Sequence, residues 1–293
     1  MTHIQRLLGL AAVAVALLAS GISAARANDQ ALRIVATIPP YAMLARAVAG
    51  ENAEVAAMVQ RGHDPHHFDP TVSAMARLRR ADAVIRNGIG MRPVEDHIQR
   101  TAGDPSLFTV AEAAAFEPIR GPGGETNPHI WLDPDVMAQA AHALADRLGQ
   151  LRPEAAERFA ANANAFGETV TSAEAQCRKW LQELPTRKLV TFHPGFDYFF
   201  RHFNLEAVGT YRDLAGNEPG SRGIAELLAT IRRHQLPALF REPQLPANAA
   251  RSLAEEAGVD LAVLDPLGFA EGIDGYPDLL RYNARQVRDA YRP

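Results

Sequence analysis

The stretch GHDPHHFDP, residues 62–70, places His63, His66 and His67 within five positions, beside Asp64 and Asp69. Imidazole and carboxylate are the groups that hold divalent transition metals or, in a hydrolase, activate water. Three more such groups stand in telling contexts: His129 in NPHIWLDP, His193 in TFHP and Asp265 in LAVLDP. The single cysteine, Cys177, excludes an internal disulfide and a cysteine-rich zinc site, so metal binding would fall to histidine and carboxylate. Adjacent extended residues aim to opposite sides, so His66 and His67 are poorly placed to share one ion. The cluster therefore reads as lending one ligand to a site assembled from distant parts of the chain. Any one histidine is more often an ordinary hydrogen-bonded residue than a ligand, and spacing alone leaves the ligand set open.

The elements that must position these groups alternate. ALRIVATIPP reads as a buried strand, YAMLARAVAG as a helix stopped by Gly50, and AEVAAMV as a second strand. In PTVSAMARLRRADAVIRNG a helix, with Ser73 available as its cap, leads to a strand ending at Asn87-Gly88, and SLFTVAE is a further strand. After residue 185 the alternation resumes through RKLVTF, GFDYFFRHF, LEAVGTY, SRGIAELLATIRRHQ, ALFREP, NAARSLAEEAG and DLAVLDP, closing with the helix LLRYNARQVRDAY. Strands alternating with helices imply open, mostly parallel sheets, whose ligand sites lie beyond the carboxyl ends of the strands. His193 directly follows one predicted strand and Asp265 another. His66 lies in the loop after AEVAAMV, and His129 in the loop before the next helix. Asp64-Pro65-His66 and Asn127-Pro128-His129 share a form in which proline restrains the backbone just ahead of the ring.

Between the two alternating regions, Ala156, Phe159, Ala163, Phe166, Val170, Ala173, Cys177 and Trp180 recur in steps of three and four. That predicts one helix over 153–184, about 48 Å long, with Pro153 suited to its first turn and Pro185 to its stop. The expected fold class is α/β: an N-terminal lobe over 28–152, the linking helix over 153–184, and a C-terminal lobe over 185–293. Residues 1–27 carry Arg6, an apolar run from Leu7 to Leu18 and the small-residue pattern Ala25-Arg26-Ala27, which reads as a secretory signal peptide cleaved after Ala27. No cysteine stands at that cleavage site, so a soluble protein without a lipid anchor is expected. Without Arg6 and Arg26, 28 basic residues face 34 acidic ones, a balance that argues against a nucleic-acid partner. No phosphate-binding loop is present, so ATP hydrolysis is not expected of this chain.

GHDPHHFDPTVSAMARLRRADAVIRNG, NPHIWLDP, TFHPGFDYFFRHFNLEAVG, NEPGSRGIAELLATIRRHQLPALFREPQ and LDPLG occur in the order found in the periplasmic zinc- and manganese-binding proteins of ABC-type metal importers. The chain resembles that family over nearly its whole mature length. The resemblance implies two α/β lobes bridged by a rigid helix, one divalent ion held between them, delivery to a membrane permease, and a monomer. Carried over position by position, the family's ligands fall on His66, His129, His193 and Asp265, while His63 and His67 match no ligand position. Three imidazoles and a carboxylate suit Zn2+, with Mn2+ or Fe2+ as alternatives. In the family a glutamate at the position of His193 accompanies manganese. The histidine-rich loop of many zinc-specific relatives is replaced here by the short EPIRGPGGETNPH, and Arg92 stands where relatives often carry glutamate. Asp64, Asp69, Glu218 and Glu242 read as supporting groups rather than ligands. A secreted zinc hydrolase with Glu242 as general base is the competing reading, opposed by the filled ligand set and by the absence of a helix-borne His-Glu-x-x-His pattern.

Overall fold

The computed structural model describes residues 31–292 apart from Asp104 and Ala215; the expected signal peptide lies outside the described residues. The N-terminal sheet is built from β1 (Leu32–Ala36), β2 (Ala53–Ala57), β3 (Ala83–Arg86) and β4 (Ser106–Thr109). All its pairings are parallel, in the order β2-β1-β3-β4. Its helices are α1 (Pro39–Ala49), α2 (Val72–Leu78), α3 (Arg92–Thr101), the short α4 (Val110–Ala113) and α5 (Pro134–Leu151). The second sheet contains β5 (Lys188–Thr191), β6 (Glu206–Thr210), β7 (Ala238–Arg241) and β8 (Asp260–Val263), again parallel, in the order β6-β5-β7-β8. With it go α7 (Asp197–His202), α8 (Ser221–Arg233), α9 (Ala247–Ala257) and α10 (Tyr276–Ala290).

A linking helix, α6 (Ala156–Gln182), joins the two lobes without a break at Gly167. It is slightly shorter than expected, because Pro153–Ala155 forms a separate turn of 3-10 helix. Its buried face is Phe159, Ala163, Phe166, Val170, Ala173, Cys177 and Leu181. Trp180 is only half-buried and Leu181 takes its place inward, while the Arg288 guanidinium lies over the Trp180 indole at 5.0 Å. Ala156 is likewise half-buried. One continuous core runs from Ile34 and Val84 of the first sheet, through this helix face, to Phe199, Leu280 and Val287 of the second lobe. A smaller core lies on the other face of the second sheet, where Val190, Leu239 and Phe192 meet Leu227, Ile231 and Leu253. Burying apolar surface on both sides of the lobe boundary favours one relative placement of the lobes.

Local signals set the element ends. The helix α1 starts at Pro39, whose fixed φ and missing N–H suit a first turn. The cap of α2 is Thr71, whose hydroxyl accepts from the Ala74 N–H at 3.2 Å; Ser73 instead shares a hydroxyl contact with Thr71 at 3.0 Å. The cap falls on Thr71 because it is the extended residue immediately before the first helical one. No described helix is long and apolar enough to cross a membrane.

Candidate metal centre

The histidines meet where loops leaving both sheets converge. His66 lies in a turn of 3-10 helix, Pro65–His67, after β2; His129 directly precedes another such turn, Ile130–Leu132; His193 follows β5 and precedes a third, Pro194–Phe196. In both X-Pro-His segments the polar side chain accepts the backbone N–H of the histidine two residues on: Asp64 Oδ1 from His66 at 2.9 Å and Asn127 Oδ1 from His129 at 3.0 Å. This local closure, with proline fixing the residue between, sets where each ring leaves the backbone.

His66, His129 and His193 each offer a ring nitrogen, and these atoms lie within 4.8 Å of one another. The rings stand 5.0–5.4 Å apart by centroid. The Nε2 atoms of His66 and His129 are 3.3 Å apart. Two imidazole nitrogens bound to one tetrahedral zinc at ~2.0–2.1 Å stand about 3.3–3.4 Å apart, so this pair is spaced like one edge of such a site. Buried neighbours fix the other nitrogens: Asn127 Oδ1 lies 2.7 Å from His129 Nδ1, and Glu242 Oε1 lies 3.0 Å from His193 Nδ1. With those Nδ1 atoms engaged, the lone pairs of both Nε2 atoms are available to an ion.

Burial holds the His129 imidazole well below its usual pKa, reinforced by His193 and His66, and it lowers His66 as well. His193 moves the other way: burial would lower it, but the Glu242 charge and hydrogen bond outweigh that and raise it. Asp197, behind the site, is pushed up to about 6 by burial against the opposing hydrogen bond from Asn127. Glu242 is itself held, since the Gln244 amide donates to its Oε2 at 2.5 Å. The backbone must approach this pair closely at Gly195, where a Cβ would stand 2.7 Å from Glu242 Oε1 and 3.1 Å from His193 Nδ1.

The remaining sequence candidates fall around this centre. Asp265, fully buried after β8, accepts from the backbone N–H of Leu267 and Gly268 through Oδ1 and of Ala270 through Oδ2; it is not in the histidine group. The His67 ring is exposed and bonded to Asp64 at 2.9 Å, and His63 packs edge-on to Phe68. Of the cluster in residues 62–70, only His66 joins the centre. Glu218 pairs with Arg212 and is not in the histidine group. Arg92 is exposed at the start of α3, and one turn later Glu95 accepts the N–H groups of Asn87 and Gly88 at 2.7 and 3.0 Å. Asn127 and the His193–Glu242 pairing escaped the sequence reading. The first could have been read from the shared X-Pro-His form; the second joins residues 49 apart and leaves no local signal.

Comparison with known proteins agrees with this geometry. The family described as ZnuA, zinc-uptake complex component A, periplasmic, matches residues 34–290. A putative metal-binding protein of Thermotoga maritima is 30% identical over 262 residues, covering 88% of this chain and 92% of that protein. The manganese-binding lipoprotein MntA of Halalkalibacterium halodurans is 25% identical over 280 residues, 92% of this chain and 93% of its own length. The chain spans about half the length of the streptococcal zinc-binding AdcA proteins that it also matches. Among solved structures, a crystal structure of ZnuA superposes with a TM-score of 0.80 at 27% identity, covering 89% of this chain and 100% of that one. The chain belongs to the ZnuA-like family of extracytoplasmic metal-binding proteins that deliver divalent metal to ABC-type importers.

Proposed function

We propose that this protein captures one zinc ion through Nε2 of His66, His129 and His193 and passes it to the membrane permease of an ABC importer. The observation that carries the reading is the convergence of three imidazoles from two lobes, two of them locked by buried acceptors on Nδ1. Neutral imidazoles with a fixed tautomer suit zinc. Asp265 is the proposed fourth ligand: its Oδ2 accepts one N–H and keeps a lone-pair direction free. A set completed by protein suits capture, because a catalytic zinc keeps a place for water. The proposed setting is the periplasm, after removal of the signal peptide, with the protein acting as a soluble monomer.

Manganese is the second reading, favoured by the similarity to MntA over nearly both full lengths. Three nitrogen ligands weigh against it, since affinity at nitrogen sites rises from manganese toward zinc. Titration of metal-stripped protein with zinc and then manganese, against a chromophoric chelator, tests the choice. One tight zinc equivalent, poorly displaced by manganese, supports zinc; preferential retention of manganese overturns it.

A further inference from the structure

Asn127 is fully buried, and all four hydrogen-bonding directions of its side-chain amide are taken. Its Oδ1 faces the His129 N–H at 3.0 Å and His129 Nδ1 at 2.7 Å. Its Nδ2 faces the Pro194 carbonyl oxygen at 2.8 Å and Asp197 Oδ2 at 3.3 Å. Those partners fix which end is oxygen: a backbone N–H can only donate, and a carbonyl oxygen can only accept. It follows that His129 Nδ1 carries a hydrogen. The amide then does two things at once. Its oxygen sets the tautomer of one ligand, and its nitrogen ties that loop to the residue immediately after His193, the ligand from the other lobe.

More contacts run the same way. The Tyr198 hydroxyl of α7 donates to the Asn127 carbonyl at 3.0 Å and accepts the Ile119 N–H at 3.1 Å. Trp131 Nε1 donates to the Pro266 carbonyl at 2.8 Å, and the Tyr276 hydroxyl donates to the Trp131 carbonyl at 2.8 Å. The segment carrying His129 is thus bonded to the second lobe on both sides of the ring. Within it, the Trp131 ring packs against His129 at 5.0 Å and reaches the residue after Asp265, whereas Asn127 hydrogen-bonds a ring nitrogen of His129 and spans to the loop of His193.

We infer that Asn127 is a positioning residue that makes His129 and His193 a pre-assembled pair, setting one ring's tautomer and fixing its loop to the other's. This deepens the metal-capture reading and rests on it. Losing a partner that orients a metal ligand costs about 10–100-fold in affinity, and a link serving two ligands belongs in that range.

The test uses the mature, metal-stripped protein with Asn127→Ala, Asn127→Asp, and Asn127→Asp combined with Asp197→Asn. Zinc affinity is measured by chelator competition, and the His129 tautomer of the metal-free protein by nitrogen-15 correlation spectroscopy. Asn127→Ala should lose about 10–100-fold in affinity and turn the single Nδ1–H tautomer into a mixture. Asn127→Asp should keep that tautomer yet still lose about tenfold, because a carboxylate then faces the Pro194 oxygen and the Asp197 carboxylate. Adding Asp197→Asn should recover part of this loss, by restoring an amide opposite a carboxylate. Wild-type affinity in Asn127→Asp would overturn the link between the loops, and an unchanged tautomer in Asn127→Ala would overturn the orienting role. Should Asn127→Ala fail to fold, judged by far-ultraviolet circular dichroism, the pair of Asp variants still decides the link. If the wild type itself binds no zinc, the proposed function fails, while the tautomer measurement still judges the orienting role separately.

Discussion

The two lobes share one sheet topology, yet they use the same positions differently. In the first, β1 pairs with β3 so that Ala36 faces Ile85, and the next residue, Thr37, donates to the Ile85 carbonyl at 2.9 Å. In the second, β5 pairs with β7 so that Thr191 faces Phe240, and Phe192 donates to the Phe240 carbonyl at 2.7 Å. By this register Ile38 occupies the place of His193, each followed by proline, and Asn87 occupies the place of Glu242. One crevice at the strand reversal thus holds a histidine and its carboxylate partner, and the other an isoleucine and an uncharged amide. The Asn87 side chain accepts from the Tyr41 hydroxyl and donates to the Pro128 carbonyl at 2.9 Å, next to His129. The first lobe supports a proposed ligand from its crevice; the second supplies a proposed ligand in its crevice. The first lobe's own histidines, His66 and His129, come from loops outside its crevice, so in the proposed site two similar folds would enclose a single ion.

Removing a ligand should break the arrangement most completely. His193→Ala should lower zinc affinity by more than the roughly 10–100-fold expected for losing an outer partner, with the circular dichroism of the metal-free protein unchanged. Equal affinity in wild type and variant would place the ion elsewhere.

Glu242→Gln keeps an acceptor for His193 Nδ1 but removes the charge, and about a tenfold loss in zinc affinity is expected. The pH profile gives a sharper test. Glu242 raises the His193 pKa whereas burial lowers those of His66 and His129, so on acidification His193 is the first of the three to take up a proton that zinc would have to displace. Affinity should therefore fall on acidification from above pH ~6.5 in the wild type and only at lower pH in Glu242→Gln. The stability of the metal-free protein carries the matching sign. A raised folded-state pKa stabilises fully below the unfolded value and is lost as pH rises through the folded one, so Glu242→Gln should reduce Tm more at pH 6 than at pH 8. A Tm loss independent of pH would contradict the pairing.

In the first lobe, Tyr41→Phe leaves Asn87 Oδ1 short of a donor and should cost about 1–3 kcal/mol of stability by urea unfolding. Its effect on zinc affinity should be smaller than that of Glu242→Gln, because Asn87 acts on the backbone beside His129 and not on a ring nitrogen. The smallest effect belongs to Ile38→Val, about 0.5–1.5 kcal/mol of stability with zinc affinity unchanged.

The alternation of strands and helices and the linking helix were legible in the sequence, since each leaves a local mark: periodicity and proline punctuation. The three histidines stood out as candidates beside strand ends and prolines, but spacing left the set open, and it was the family resemblance that singled out His66, His129 and His193. The duplicated topology was not legible, because Ile38 and His193, or Asn87 and Glu242, share a place in the sheet without sharing chemistry. The helix α3 also went unread, since only Val94 and Ile98 of its residues are buried and the apolar pattern is short. The supports of the centre depend on pairings across lobes, such as Asn127 with Pro194, which no spacing along the chain encodes.

In the proposed site one ion is held by histidines from both lobes. Zinc-edge X-ray absorption on protein loaded with one equivalent, beside His193→Ala, tests it most directly. Three imidazole nitrogens and one oxygen at ~2.0–2.2 Å are expected, with one imidazole lost in the variant. An identical spectrum and undiminished zinc binding in the variant would assign the ion to residues 62–70 alone and contradict the assembly described here.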